Sequence, residues 1–354
     1  MYNSFIQKIT EGRLGKFHGI PGGLPRFDKR VYNIQTKKII SLVGSPKAGK
    51  SAFMLWRYIF IPWISGIRNI KWILYSLEMP VDEVKSRLAS MFVHHYYGII
   101  IDPNLIYSYG ENILTDDQFE KIKDIDERFL QELFKNVIFI EDAAASNPTG
   151  IYRAAQNYAR SNGTEIKEKY FTINDREEPI EKDRVIGYTP NNPKENVFII
   201  VDTLGLMKKE QNLSKKDNID RWMEYCTNLK KIYGYTIINL HHLNRQVGSI
   251  ERRRHFKDEL KPELEDIKDT SSLGEFSDMV IAIFNPNVYT NLNEHGGYDI
   301  VKLKGYYRSI HVIASRFTEF PINVGVIFSY ATGQWAELPP ASEEGALQTI
   351  YEII

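Results

Sequence analysis

Apolar, β-branched runs recur along the chain with polar or helix-length segments between them: Ile39 to Val43, Trp72 to Leu77, Val137 to Ile140, Val197 to Val201, Thr236 to Leu240, Met279 to Phe284, Ile310 to Ala314 and Val324 to Tyr330. Runs with no alternating polar face belong to strands covered on both sides, and helix-length intervals leave room for crossover connections. The pattern predicts an α/β fold built on a mostly parallel twisted sheet flanked by helices. The last runs stand too close together for crossover helices, so antiparallel strands are expected near the C-terminus. Ahead of the first run, Phe5, Ile6 and Ile9 predict a short helix on an N-terminal arm, residues 1–18. The expected organisation is that arm, one domain over 19–340 and a C-terminal tail over 341–354. Thr164 to Asn196 breaks the alternation: it is charged, contains Pro179, Pro190 and Pro193, and is expected as a peripheral insertion with a short hairpin around Tyr170–Ile173 and Val185–Tyr188.

Composition narrows the class. Of 354 residues, 43% are hydrophobic and 12% aromatic, enough for a large buried core. Basic and acidic residues both number 45, so any site for a polyanion has to be local. The single cysteine, Cys226, excludes an intramolecular disulfide and a zinc centre built on several cysteines, which suits a reducing, cytoplasmic setting. No secretory apolar segment opens the chain. Phe53 to Ile67 is interrupted by Arg57 and is too short for an ordinary membrane span, so a buried helix is predicted and no membrane partner.

Chemistry enters directly behind the first run. Gly44-Ser45-Pro46-Lys47-Ala48-Gly49-Lys50-Ser51 matches G-x-x-x-x-G-K-[ST] at every fixed position. In such a loop the glycines let backbone N–H groups curl toward phosphate oxygens, the lysine reaches the β- and γ-phosphates, and the hydroxyl of Ser51 can ligate Mg²⁺. The helix that follows adds its positive N-terminal end. A cradle of this kind needs a carboxylate on the metal side, and Asp202 stands at the end of the run Val197 to Val201. Hydrolysis also needs a group to activate water. Glu78 ends the strand after the cradle helix, and in a parallel sheet the carboxyl ends of strands converge on one edge, so Glu78, Asp202 and the loop are expected to meet.

Together these elements resemble the RecA-like motor domain of replicative DNA helicases of the DnaB family. The resemblance extends over nearly the whole chain. Gly22-Gly23-Leu24-Pro25-Arg26-Phe27-Asp28 is similar to the family's opening G-x-P-T-G-[FL]-x-x-L-D in compressed form, and Ser76-Leu77-Glu78-Met79-Pro80 reproduces S-L-E-M-P. Asn147 to Arg153 resembles T-P-x-x-[IL]-R, Asp202 to Met207 resembles D-Y-L-Q-L-M, and Leu240 to Arg245 resembles L-S-Q-L-N-R. Asp266 to Asp278 parallels D-L-R-E-S-G-x-I-E-Q-D-A-D, and Gly333-Gln334-Trp335 matches a closing G-x-W.

The resemblance implies a P-loop NTPase core, ATP and Mg²⁺ as cofactors, and an ATP-hydrolysing helicase that forms a ring, hexameric by analogy, on single-stranded DNA. It implies Glu78 as catalytic base and His242, at the end of the L-S-Q-L-N-R segment, as a sensor of the γ-phosphate. His241 should point to the other side of a regular strand. Lys268, Asp269 and Ser271 fall in the loop by which relatives track DNA, with Lys268 in place of the usual arginine and Ser271 in place of glycine. Arg316 matches an arginine finger acting on the neighbouring subunit's ATP, but the lysine that accompanies it in K-Q-R-N-G-P is Ala314 here, with Arg308 or Lys304 as substitutes to consider. The domain by which many relatives bind primase has no counterpart, so a motor-only, phage-type variant in the bacterial host cytoplasm is expected, with a primase or loader as further partners. Two other functions fit the same motifs: a filament-forming RecA-like recombination or annealing ATPase, and a nucleotide-dependent scaffold without unwinding.

Overall fold

Alternate residues of the central strands go to opposite faces of one sheet, and both faces are covered. Ile40, Leu42, Trp72, Leu74, Phe198 and Ile200 enter one core with Trp56, Trp63 and Phe92. Ile39, Val43, Ile73, Tyr75, Ile199 and Val201 enter the other with Ile151, Trp222 and Met223. Each large side chain so buried contributes roughly 1.5–3 kcal/mol relative to exposure.

The computed structural model describes residues 2–108, 111–141, 146–173, 179–256, 260–289 and 292–354. Its strands are β1 (Ile39–Gly44), β2 (Ile70–Ser76), β3 (Val137–Ile140), β4 (Gly163–Ile173), β5 (Pro179–Pro190), β6 (Asn196–Asp202), β7 (Thr236–His242), β8 (Met279–Phe284), β9 (Glu294–His295), β10 (Tyr298–Asp299), β11 (Tyr307–Ser315), β12 (Ile322–Phe328) and β13 (Trp335–Glu337). The main sheet runs β13-β12-β11-β8-β1-β7-β6-β2-β3. From β8 to β3 all neighbours are parallel, while β11, β12 and β13 add antiparallel strands at the other side. This is the doubly covered, mostly parallel sheet that the apolar runs predict. Helices Lys50–Leu55 and Val81–Tyr97 lie on one face, and Pro148–Ser161 and Lys215–Asn228 on the other. No helix among the described residues is long and apolar enough to cross a membrane.

Two segments differ from expectation. β4 and β5 form a separate ribbon that starts at Gly163 and pairs through Ile173 with Pro179, longer than the short hairpin foreseen. Cross-strand ion pairs hold it, Lys169 with Glu181 at 2.9 Å and Arg184 with Glu168 at 3.1 Å. The expected tail is instead a helix, Glu344–Ile353, docked by buried Leu347 on a small third core with Tyr298, Leu303 and Tyr307.

The stretch Gly22 to Asp28 is fixed to the helical segment behind the cradle. Arg57, fully buried in the turn Trp56–Phe60, meets Asp28 at 2.6 Å. The other oxygen of Asp28 accepts the backbone N–H groups of Gly22 at 3.0 Å and Leu24 at 3.2 Å. Removing either partner would leave a buried charge unpaired, at a cost of about 3–5 kcal/mol.

Candidate functional site

β1 delivers the chain into the loop at Gly44, so close to β8 that an added Cβ would stand 2.6 Å from the Ile283 carbonyl oxygen. Lys47 (φ 62°) and Gly49 (φ 102°) then turn the backbone through left-handed conformations, and the helix begins at Lys50. The Lys50 side chain is buried inside this turn. Its ammonium donates to the carbonyls of Gly44 at 3.0 Å and Ser45 at 3.1 Å and lies 3.2 Å from His242 Nδ1. Burial pushes its pKa down to about 8, against the pull of Asp202 and Glu78.

The ends of β2 and β6 are stitched together at the same edge. Leu77 and Glu78 donate their N–H groups to the Asp202 carbonyl at 2.7 and 3.2 Å. Asp202 itself is buried, and neither carboxylate oxygen has a partner in normal hydrogen-bond geometry. Burial raises its pKa to about 6; the nearby Ser51 hydroxyl and the charge of Lys50 oppose the rise, and Glu78 adds to it. Two orphaned carboxylate oxygens beside a hydroxyl are hard donors, which fits Mg²⁺. No group of three or more His, Cys, Asp or Glu set for a metal occurs among the described residues.

His242 is half-buried at the end of β7, the strand next to β1. Burial first, then Lys50, lowers its pKa to about 4, so the ring is neutral. With Lys50 donating to Nδ1, the proton belongs on Nε2, which makes that nitrogen a donor.

Lys50, Ser51, Glu78 and His242 line one cleft of about 600 Å³, together with two residues that sequence reasoning missed, Arg87 and Tyr330. Arg87 comes from the helix Val81–Tyr97, where Glu83 holds its guanidinium at 2.7 Å, and lies 5.8 Å from the Tyr330 ring. Nothing short of the facing of that helix would have marked it.

His241 turns the other way and joins the strand end to the candidate DNA loop. Its Nε2 lies 2.7 Å from the Lys268 carbonyl, and the Lys268 N–H donates to the His242 carbonyl at 3.1 Å. Lys268 is exposed. Asp269 is ion-paired with Lys215 at 3.3 Å, so its carboxylate serves to place a second lysine beside the loop, one that the sequence analysis did not single out. Thr270 donates to Asp220 at 2.6 Å, and the Ser271 hydroxyl donates to Glu275 at 3.0 Å.

Arg316 is not in the cleft. It follows β11 at the edge where the parallel strands begin: its N–H donates to the Asp278 carbonyl at 2.9 Å, and its guanidinium donates to the Glu275 carbonyl. Neither substitute considered for the lysine missing at Ala314 stands beside it. Lys304 and Arg308 are at the other end of β11, Lys304 against the Ile354 carbonyl and Arg308 buried against this chain's own Ala48.

Several known proteins are similar to this chain in sequence or in fold. The DnaB-like helicase C terminal domain model matches residues 164–316, beyond the cradle. The replicative DNA helicase DnaB of Haemophilus influenzae is 23% identical over 303 residues, 83% of this chain, and that of Rickettsia typhi is 21% identical over 349 residues, 94% of it. The chain covers only 53% and 59% of those relatives' own lengths. Among solved structures, one ATPase domain superposes with a TM-score of 0.69 at 17% identity, over 96% of this chain and 99% of that one. A DnaB-like replicative helicase studied with its primase interactions superposes with a TM-score of 0.64 at 17% identity, over 90% and 63%. At such identities the superpositions speak for the fold alone, while the family model and the sequence matches show that this chain is similar to the DnaB-like helicases over their C-terminal domain.

Proposed function

We propose that this chain is an ATP-driven motor that forms a ring, hexameric by analogy with its relatives, moves along single-stranded DNA and unwinds duplex. The observation that carries this reading is the meeting of Lys50, Ser51, Glu78, Asp202 and His242 at one sheet edge, with Arg316 exposed at the other. Lys50 and the cradle N–H groups hold the nucleotide phosphates. Ser51 and Asp202 would hold Mg²⁺, which when bound would neutralise phosphate charge. Glu78 takes the proton from the attacking water, His242 donates to the γ-phosphate, and Arg316 completes the site of the next subunit. Lys268, with Lys215 beside it, faces DNA phosphates, while the exposed Phe5, Ile6 and Ile9 of the arm pack on a neighbouring copy. A primase or loader and a cytoplasmic location follow from the same analogy.

Electron microscopy with a non-hydrolysable ATP analogue, paired with hydrolysis and unwinding assays with and without single-stranded DNA, tests the reading. Closed rings with DNA-stimulated hydrolysis and strand separation are expected. Filaments would favour a recombination or annealing ATPase, and nucleotide binding without unwinding a scaffold.

A further inference from the structure

The fold buries two arginines beside the cradle and treats them differently. Arg57 has Asp28 at 2.6 Å. Arg308, on β11, has no carboxylate within ion-pair distance among the described residues, although it is only 8% exposed. Its guanidinium is held by carbonyls alone: Nε donates to Ala48 at 3.2 Å, and Nη1 to Gly305 at 2.8 Å and Tyr307 at 2.6 Å. The ring of Phe328 lies 5.5 Å away, stacked in turn on Trp335 at 4.3 Å, and that aromatic pair packs beneath Gly49. Carbonyl dipoles and an aromatic face offset only part of the desolvation of a buried cation. Burial lowers the pKa of Arg308 to about 10, with no neighbouring charge to oppose it.

The contact with Ala48 gives this charge a use. Ala48 and Gly49 belong to the loop whose N–H groups face phosphate, and a donor gripping the Ala48 carbonyl from outside fixes the peptide that presents the Gly49 N–H inward. We propose that Arg308 is a positioning residue for nucleoside di- and triphosphates in the cradle of its own chain, orienting the loop through the Ala48 carbonyl and supplying a buried positive charge that the bound phosphates neutralise. This rests on reading residues 44–51 as a nucleotide cradle. It assigns Arg308 to the chain's own nucleotide and not to a neighbour's, and it gives a use to a buried guanidinium that no carboxylate on the described residues pairs.

The test compares wild type, Arg308→Met, Arg308→Lys and Lys50→Ala, reading the melting temperature with and without Mg²⁺-ADP and the Kd of a fluorescent ADP analogue at low and high salt. Arg308→Met should melt without nucleotide at or above the wild-type temperature, because an uncompensated charge is gone, yet show a reduced ADP-induced rise and about ten-fold weaker binding. Arg308→Lys keeps a charge but cannot span the three carbonyls, so its Kd should fall between the two. An arginine that merely braces the fold would behave otherwise: the melting temperature would drop while Kd and the ADP-induced rise stayed unchanged, and that outcome overturns the proposal. Unchanged affinity in Arg308→Lys also overturns it, should the methionine variant not fold. The cradle itself is tested separately. If Lys50→Ala binds ADP as wild type does, the cradle is wrong; if Lys50→Ala loses binding while Arg308→Met keeps it, only the role of Arg308 falls.

Discussion

Lys50 and Arg316 stand at opposite ends of the same sheet. Lys50 donates to the carbonyl of Gly44, the last residue of β1, and Arg316 bonds to Asp278, whose N–H in turn donates to Ile39, the first residue of β1. The six residues of β1 separate the two levels by roughly 20 Å. No rotamer of Arg316 spans that distance, so it cannot serve its own cleft.

Arg316→Ala is therefore expected to bind nucleotide with wild-type affinity and to hydrolyse it at least a hundred-fold more slowly. Mixing it with Glu78→Gln is the sharper measurement, because each variant keeps the half that the other lacks. Hydrolysis should reappear in the mixture. If mixed assemblies demonstrably form and remain inactive, Arg316 does not act between subunits.

Glu78→Gln should leave Mg²⁺-ATP binding nearly intact while lowering turnover about a hundred-fold or more, since only water activation is lost. Lys50→Ala should instead weaken binding itself. Titration with a nucleotide analogue alongside single-turnover hydrolysis separates these effects, and wild-type turnover in Glu78→Gln would remove that residue from the chemistry.

Lys268→Ala should weaken single-stranded DNA binding and flatten the plot of log affinity against log salt by about 0.7 for each phosphate no longer neutralised. Lys215→Ala should have a smaller effect of the same sign, because its charge is already shared with Asp269. Equal slopes in all three proteins would place the loop away from DNA.

Acid should destabilise the fold through buried neutral histidines. Burial, reinforced by His295 and Lys261, lowers the pKa of His311 from 6.5 to about 3, and burial lowers that of His241 to about 4. Both rings stay neutral in the fold and take up a proton on unfolding, so their contribution is complete above pH 6.5 and is lost as pH falls from there toward the folded values. Each can steepen the loss by up to about 1.4 kcal/mol per pH unit. Urea titrations at about pH 7.5, 6 and 5 should show a shallower decline for His311→Gln than for wild type, and parallel declines would remove His311 as a cause.

The sheet was legible because its strands are continuous apolar runs, and the cradle because its chemistry is contiguous in sequence. Glu78 and Asp202 could be assigned to one edge by the geometry of parallel strands alone. Arg87 and Tyr330 could not, since one depends on which face a helix turns and the other arrives from a distant loop. The β4–β5 ribbon was underestimated because alternating charges, not apolar residues, pair its strands. The C-terminal helix did carry a signal: Leu347, Ile350, Tyr351 and Ile354 repeat at helical spacing over one small core. The fate of Arg308 was not readable, because a strand position does not reveal that its neighbour in space is a loop 260 residues earlier.

The separation of the cleft from Arg316 also limits how copies can combine. The two features face outward from opposite edges, so no single flat patch contains both. A two-fold dimer, which joins one patch to itself, would leave them apart. Only head-to-tail contact brings one copy's arginine to another's cradle, and such contact repeats until it closes or runs on. If Arg316 completes a neighbour's site as proposed, an open series ends on one cradle with no arginine, so n copies make n − 1 complete sites, while closure makes n. Activity per copy would then measure how many ends the population has.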